Sequence, residues 1–354
     1  MNRPPPRPRA ATLPAWRESF FAGPASTVLT LVFAATSVWA AWRLLDWGVL
    51  AATWSAPDRQ ACPPGGACWA FVAARLPQFL FGFYPPELHW RPALVVGLPV
   101  LPVLIGIAAS HRHRAAASAA AILLTPAVML LLMAGGVSGL AAVPSERWGG
   151  LALTILIATT AFVASLPLAL ALAYARRSPL PAVSGLAAGF IELWRGLPLV
   201  TVLFMAVILL PLFLPAGSRP DRFATAAVAL TLYNSAYLAE VLRGGLQAVA
   251  QSQSMAARAL GFGFWQTQVD VVLPQALRIS LPAIVNAAVA LLKDTSYVMV
   301  VGLFDFIGIV AAALSDPRWM GPPTEAYLFI GAVYWVACFG LSRWASSIER
   351  RLAE

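Results

Sequence analysis

Three clusters of polar and ionisable residues interrupt long apolar runs in this sequence. The first reads Glu192-Leu-Trp-Arg195-Gly196-Leu-Pro198, the second Tyr233-Asn234-Ser235-Ala-Tyr237-Leu-Ala-Glu240, and the third Lys293-Asp294-Thr295-Ser296. Charges held in apolar surroundings are expensive, so they either pair with one another or serve a polar pathway. Glu192 and Arg195 are three apart and can pair on one helix face. Gly196 and Pro198 then weaken the helix directly after them, because proline removes a backbone donor. The alternative for this segment is a salt bridge beside a packing kink.

At about 100° per residue, Tyr233, Tyr237 and Glu240 share a narrow arc with Asn234 at its edge. That face carries phenols, an amide and a carboxylate. It either lines a pathway or glues helices together by hydrogen bonds. Lys293 is the only lysine in the chain, all other basic residues being arginine. A site that uses the one lysine asks for a compact ammonium. Adjacent Lys293 and Asp294 point to different faces, so each takes its own partners; a buried structural ion pair is the alternative.

Other chemistry is absent from the sequence. A phosphate-binding G-x-x-x-x-G-K-[ST] loop needs a lysine, and Lys293 follows Ala-Leu-Leu. If ATP drives this protein, another chain hydrolyses it. The nucleophile-elbow, zincin and C-x-x-C patterns are missing as well. His89, His111 and His113 fall in or near loops, and His111-Arg112-His113-Arg114 reads as a solvated basic turn rather than a metal site. Cys62, Cys68 and Cys338 make neither a disulfide scaffold nor a zinc site. Two prolines and two glycines between Cys62 and Cys68 let the chain turn back, so these two are expected to bond, and Cys338 to sit in the core.

The elements that position these groups follow from composition. Of 354 residues, 60% are hydrophobic and 11% charged, against about 25% charged in soluble domains. A bilayer is the solvent that such a chain requires. Spans of about 20 apolar residues fall near 26–46, 93–110, 116–136, 151–175, 185–214, 223–243, 281–305 and 324–345. The fold expected is therefore an all-α membrane protein with about eight transmembrane helices. The net charge of +9 suits the anionic inner membrane face, and no basic stripe with interleaved aromatics suggests nucleic acid. Placing both termini inside puts about twice as many arginines on the inner side, as the positive-inside rule asks. Residues 1–25 are then an inner basic, proline-rich tail. The loop at about 47–92, rich in Trp, Pro and Gly, lies outside. The loop at about 244–280 lies inside and reads as helix, glycine turn, helix.

That inner loop carries Ser254-Met255-Ala256-Ala257-Arg258-Ala259-Leu260-Gly261, then Val271-Val272-Leu273-Pro274. The pattern resembles the E-A-A-x-x-x-G-x9-I-x-L-P loop of ATP-binding-cassette (ABC) importer permeases. Phe190 to Pro198, Asn234 to Glu240, Leu273-Pro-Gln-Ala-Leu-Arg278 and Leu291-Leu-Lys-Asp-Thr-Ser296 resemble the polar-amino-acid permease family over about 150–350. The preceding spans, with Ala52-Thr-Trp54, Ala67-Cys-Trp69 and Phe83-Tyr84-Pro85, resemble the larger permease of general L-amino-acid systems. Met255 stands where the family has glutamate. Ala250, Gln251 and Ser252 replace the usual proline, basic residue and glycine.

The resemblance implies a non-enzymatic transport subunit in the bacterial inner membrane. It has a five-helix importer-type core at 151–350 behind three extra helices at 26–150. Met255, Ala256, Ala257, Gly261, Leu273 and Pro274 would form the ATPase coupling loop. Glu192, Arg195, Asn234, Ser235, Tyr237, Glu240, Lys293, Asp294, Thr295 and Ser296 would line the substrate pathway. A zwitterionic cargo needs an acceptor for its ammonium, from Asp294 or Glu240, and donors for its carboxylate. Implied partners are a second homologous permease, two ATP-binding subunits carrying ATP and magnesium, a periplasmic amino-acid-binding protein, and lipid. No cofactor or metal is expected in this chain. An ion-gradient transporter using Asp294 and Glu240 would have no use for the Gly261–Pro274 loop; against a non-transporting membrane scaffold or sensor stand the buried polar faces, while the loop's departures from the pattern are in its favour.

Overall fold

The computed structural model describes residues 20–21, 23–108, 114–137, 139–215, 217–218, 220–320 and 323–353. Most of the basic tail, and the His111-Arg112-His113 turn, lie outside them. The regular secondary structure of the described residues is helical, with isolated bridges but no strand. Two compact units are present, Met1–Ala73 and Ala74–Glu354.

In the first unit, helix α1 (Pro24–Leu45) buries none of its side chains. Its apolar residues on every face are what a lipid-surrounded span requires. The segment after it is tied to itself. Thr53 bridges to Cys68, Trp54 stacks on Trp69 at 6.1 Å, and the Trp69 indole N–H donates to the Gly48 carbonyl at 2.7 Å. Cys62 and Cys68 are disulfide-bonded with their Cα atoms 5.8 Å apart. Helix α2 (Trp69–Phe81) contains the division between the units.

The second unit continues with α3 (Trp90–Gly97), α4 (Leu101–Ala108) and α5 (Arg114–Ala134). Arg91 on α3 is wholly buried, and no ion pair among the described residues involves it. Its guanidinium donates to the carbonyls of Leu132 and Ala141, the latter at 2.8 Å, and lies over the Tyr84 ring. Carbonyls left free at a helix C-terminus carry partial negative charge, which accounts for a buried cation there.

The remaining helices are α6 (Gly150–Ala175), α7 (Pro181–Gly196), α8 (Leu199–Phe204), α9 (Arg222–Ala248), α10 (Gln251–Ala259), α11 (Leu273–Asp294), α12 (Gly308–Leu314) and α13 (Pro323–Ala353). Helix α9 is central, packing on α6, α7 and α11, and α11 packs in turn on α13. Small residues make the contacts close. Ala161, Ser165, Ala169 and Ala173 of α6 and Ala226, Ala229, Ala236 and Ala239 of α9 are all buried. In a bilayer, where apolar burial gives no advantage over lipid, such close backbone approach drives helix association.

Five helical stretches of the described residues are long and apolar enough to cross a membrane, and a sixth arises if the bent pair α7–α8 is one span. The other two sequence spans are helical as well. Residues 90–108 form α3 and α4, joined by a 3-10 turn at Leu98–Val100, and α9 has 27 residues with polar groups along one face. The α7–α8 pair bends by 101°. Leu197 there is extended, with φ −94° and ψ 137°, as expected of a residue preceding proline. The 244–280 loop forms α10 and, after Gly261, a helix that starts at Phe264 and runs through Thr267–Val272 into α11 without interruption. The helix that follows Gly261 and the span after it are therefore one rod.

Candidate functional site

A cavity of about 630 Å³ opens between the end of α7 and the facing sides of α9 and α11. Arg195 comes from α7. Tyr233, Asn234, Tyr237, Glu240 and Val241 come from α9. Ala283, Asn286, Ala287, Ala290, Leu291 and Asp294 come from α11. The helix break positions the first of these, since α7 stops at Gly196 and leaves Arg195 at its end. The i, i+4 and i+7 spacing of Tyr233, Tyr237 and Glu240 positions the second group, and alanines on α11 leave the space. Arg195, Tyr237, Asn286 and Ala290 are exposed, so the cavity is open along one flank.

The polar walls differ in how far they are engaged. Glu240 accepts from Arg243 Nη2 at 2.6 Å and Nε at 3.0 Å, and its other oxygen lies 4.0 Å from Arg176 Nε. Arg176 also binds Glu192 at 3.2 Å. Asn234 is buried and donates to Ser165 Oγ at 2.7 Å. The Tyr233 and Tyr237 hydroxyls are 3.2 Å apart. The Arg195 guanidinium carbon lies 5.4 Å from the centre of the Tyr237 ring, a cation–π contact. No ion pair among the described residues involves Arg195, Lys293 or Asp294.

The sequence reading needs correction in several places. Glu192 does not pair with Arg195; Arg176, at the end of α6, takes it instead, because a guanidinium from a neighbouring helix reaches it. Ser235 is buried and donates to the Leu232 carbonyl, and Thr295 likewise to Leu292. Both hydroxyls satisfy their own helix. Ser296 bonds the Lys293 carbonyl. Lys293 itself is exposed, away from the cavity that Asp294 lines. Cys338 is half-buried, not part of the core.

In the 244–280 loop, Met255 and Ala256 are exposed, Ala257 is buried, Leu273 is half-buried and Pro274 exposed. Gly261 adopts φ +85°, a conformation that side chains with a Cβ disfavour. Its amide donates to the Arg258 carbonyl at 2.9 Å, which closes α10. Exposed Met255, Leu260, Phe264 and Trp265 give this end of the molecule an apolar surface.

Residues 165–354 match the family described as "Binding-protein-dependent transport system inner membrane component". The chain belongs to this family. The inner membrane amino-acid ABC transporter permease protein YhdY of Escherichia coli (strain K12) is 41% identical, with 98% of this chain aligned to 96% of that protein. The glutamate/glutamine/aspartate/asparagine transport system permease protein BztC of Rhodobacter capsulatus is 34% identical over 99% of this chain and 96% of its own. A solved structure, "Crystal structure of an amino acid ABC transporter with histidines", is 31% identical and superposes with a TM-score of 0.51, covering 57% of this chain and 92% of that one. The binding-protein-dependent family fixes the class. This chain is a multi-span inner-membrane permease, a transport subunit rather than an enzyme, and it works with ATPase and other subunits.

Asn286 and Arg176 were not singled out from sequence. Asn286 sits one and two turns before Ala290 and Asp294, so extending the Asp294 face backwards along α11 would have found it. Nothing local marks Arg176.

Proposed function

We infer that this permease moves L-amino acids from periplasm to cytoplasm, and that the cavity between α7, α9 and α11 is its substrate pathway. One observation carries the reading: a cavity at the break of a bent span gathers a guanidinium and a carboxylate that form no ion pair among the described residues, together with a second carboxylate, two phenols and two amides. Irregular backbone at membrane depth is tolerated where it lines such a cavity. The names of the relatives support an amino-acid cargo.

Both termini lie in the cytoplasm, as the arginine distribution favours. Residues 1–25 form the tail, 26–150 the three additional helices with an outer loop at 47–92, and 151–350 the importer core. A second, homologous permease closes the open flank. Two ATP-binding subunits, holding ATP and magnesium, dock on the loop containing Met255, Ala256, Ala257 and Gly261, with Leu273 and Pro274 at its end. A periplasmic binding protein delivers the cargo. ATP-driven closure would then swing the core between inward and outward access.

The test is reconstitution with these partners in proteoliposomes and uptake of each L-amino acid. ATP-dependent uptake of at least one is expected, and Asn286→Trp, which fills the cavity, abolishes it. Normal uptake by Asn286→Trp would place the pathway elsewhere.

A further inference from the structure

Residues 74–149 precede the helices that form the cavity and contribute no side chain to it. Their contacts gather at one end of the core, where α6, α9 and α13 begin and α11 ends. Four separate pieces of that end are held. At the start of α6, backbone meets backbone: a Cβ on Gly82 would lie 2.4 Å from the Gly149 Cα, and one on Gly150 2.3 Å from the Phe79 carbonyl oxygen. At the start of α9, Ser145 donates to the Asp221 carboxylate, and Trp148 meets Phe223 edge to face at 5.2 Å. After α11, Phe83 packs on Phe304 at 5.4 Å, whose carbonyl accepts the Gly150 amide at 2.8 Å. At α13, Arg75 pairs with Asp316 just before the helix, and Phe79 packs on Phe329 within it.

The segment that makes these contacts is itself stiff. Buried Arg91 joins α3 to the Leu132 and Ala141 carbonyls, and the Tyr84 hydroxyl donates to the Met133 carbonyl at 3.0 Å. Met129 and Met133 share one buried apolar cluster with Leu153, Leu203 and Val298 of the core, and interiors packed in this way deform little. The opposite end of the core is built differently. Helix α7 buries only Ala187 and Ile191 of its 16 residues, and α10 only Ala257 of its nine. The Arg176–Glu192 pair there is 29% and 70% exposed, and exposed ion pairs hold little. Few buried contacts mark the part of a structure that opens most easily.

We propose that residues 74–149 are a clamp. They hold one end of α6, α9, α11 and α13 together as a single body through every transport step. The subunit then changes shape only at the opposite end, by movement of α7 and of the loop after α9. Folding of the core gives no need for such a segment, because α9 is buried along its length against α6, α7 and α11 by its own small residues. The clamp concerns how the core moves, and stands whichever cavity carries the cargo.

Two cross-links test it in the complex with the partner permease and the ATPase subunits in proteoliposomes, with hydrolysis of magnesium ATP as the readout. Cys338→Ser removes the free thiol. Arg75→Cys with Asp316→Cys is bridged by a bifunctional methanethiosulfonate reagent that spans the lost side chains, and Arg176→Cys with Glu192→Cys is bridged in the same way. Each bridged protein is compared with its unbridged form, and the parent carried through the same reduction corrects for opening of the Cys62–Cys68 bond. Bridging the clamp is expected to change hydrolysis by less than about twofold, and bridging the opposite end to lower it at least about tenfold, with recovery on reduction, because a blocked conformational step limits turnover. Loss of hydrolysis on bridging Arg75→Cys to Asp316→Cys, restored by reduction, would show that this end parts during the cycle and would overturn the clamp. Unchanged hydrolysis with the Arg176→Cys to Glu192→Cys bridge in place would overturn it too, since the opposite end would not be the moving one. Where the charged pair proves necessary for assembly, Phe83→Cys with Phe304→Cys makes the first comparison, with the same two readings. Thiols that fail to bridge in either clamp pair would show that the segment does not grip the core there, and the proposal would fall with the contact.

Discussion

Gly245 of α9 faces Ser280 of α11 so closely that a Cβ on the glycine would lie 1.9 Å from the serine Oγ and 2.8 Å from the Ala276 carbonyl. The two helices that form the cavity are thus pinned together one turn beyond Glu240. A methyl group at this point must push the backbones apart. Gly245→Ala is expected to destabilise the protein by about 1–3 kcal/mol, the usual penalty of overpacking, and Gly245→Leu by more. Thermal unfolding in detergent measures both. Ser280→Gly added to Gly245→Ala should recover part of the loss, because it removes the nearest obstacle and leaves only the Ala276 carbonyl. A Gly245→Leu protein as stable as the parent would show that α9 and α11 do not meet here.

The Asn234–Ser165 bond joins α9 to α6 at 2.7 Å, with both residues buried. Ser165→Ala removes the acceptor and leaves a buried amide N–H unpaired, expected to cost about 1–3 kcal/mol. Asn234→Leu together with Ser165→Ala removes both polar groups and should be nearer to the parent in stability. Uptake should nevertheless fall in the double variant, because Asn234 also lines the cavity. Stability and uptake measured on the same preparations separate the two roles. Full uptake by the double variant would reduce Asn234 to a packing residue.

The disulfide in the first unit gives a chemical test. Cys62 and Cys68 are six residues apart, so closing this short loop contributes about 2 kcal/mol by chain-entropy reasoning. Without reductant, a maleimide should find only Cys338 in the unfolded protein, and all three cysteines after reduction. Three reactive thiols without reductant would refute the bond. Cys62→Ser should leave the 74–354 unit intact, because the covalent loop lies wholly within the other.

How far the sequence revealed the molecule varied with the range of the interaction. Apolar runs located the spans, since a bilayer leaves few alternatives. Gly196 and Pro198 marked the break before α8, but its 101° angle depends on what α8 packs against. The arc of Tyr233, Asn234, Tyr237 and Glu240 was legible because a helix fixes its own periodicity, and all four line the cavity. Pairing was not legible. Glu192 has Arg195 nearby on its own helix, yet binds Arg176, 16 residues away in sequence. Local spacing says which partners are possible; helix packing decides between them. Ser235 and Thr295 looked like pathway groups for the same reason, and their hydroxyls turned to backbone carbonyls in their own helices.

The loop proposed to dock the ATPase offers the last test, and the structure sharpens it. Gly261 has open space around the position of a Cβ, so crowding within this chain does not oppose a side chain; its φ of +85° does. A β-branched residue there pays the left-handed penalty of about 1–2 kcal/mol, whereas asparagine tolerates the conformation through local hydrogen bonds. Gly261→Val is therefore expected to distort the turn after α10 and to reduce ATPase stimulation by loaded binding protein severely, and Gly261→Asn to reduce it much less. Met255 is 59% exposed on the same helix, where a flexible thioether adapts to an apolar groove. Met255→Glu should be mild, and should strengthen stimulation if the ATPase presents a basic partner, by the 1.5–3 kcal/mol or so of a charged hydrogen bond. Stimulation measured in proteoliposomes distinguishes all three variants. If Gly261→Val couples as well as Gly261→Asn, the backbone turn is not what transmits the ATPase stroke, and the contact must run through another surface of the permease.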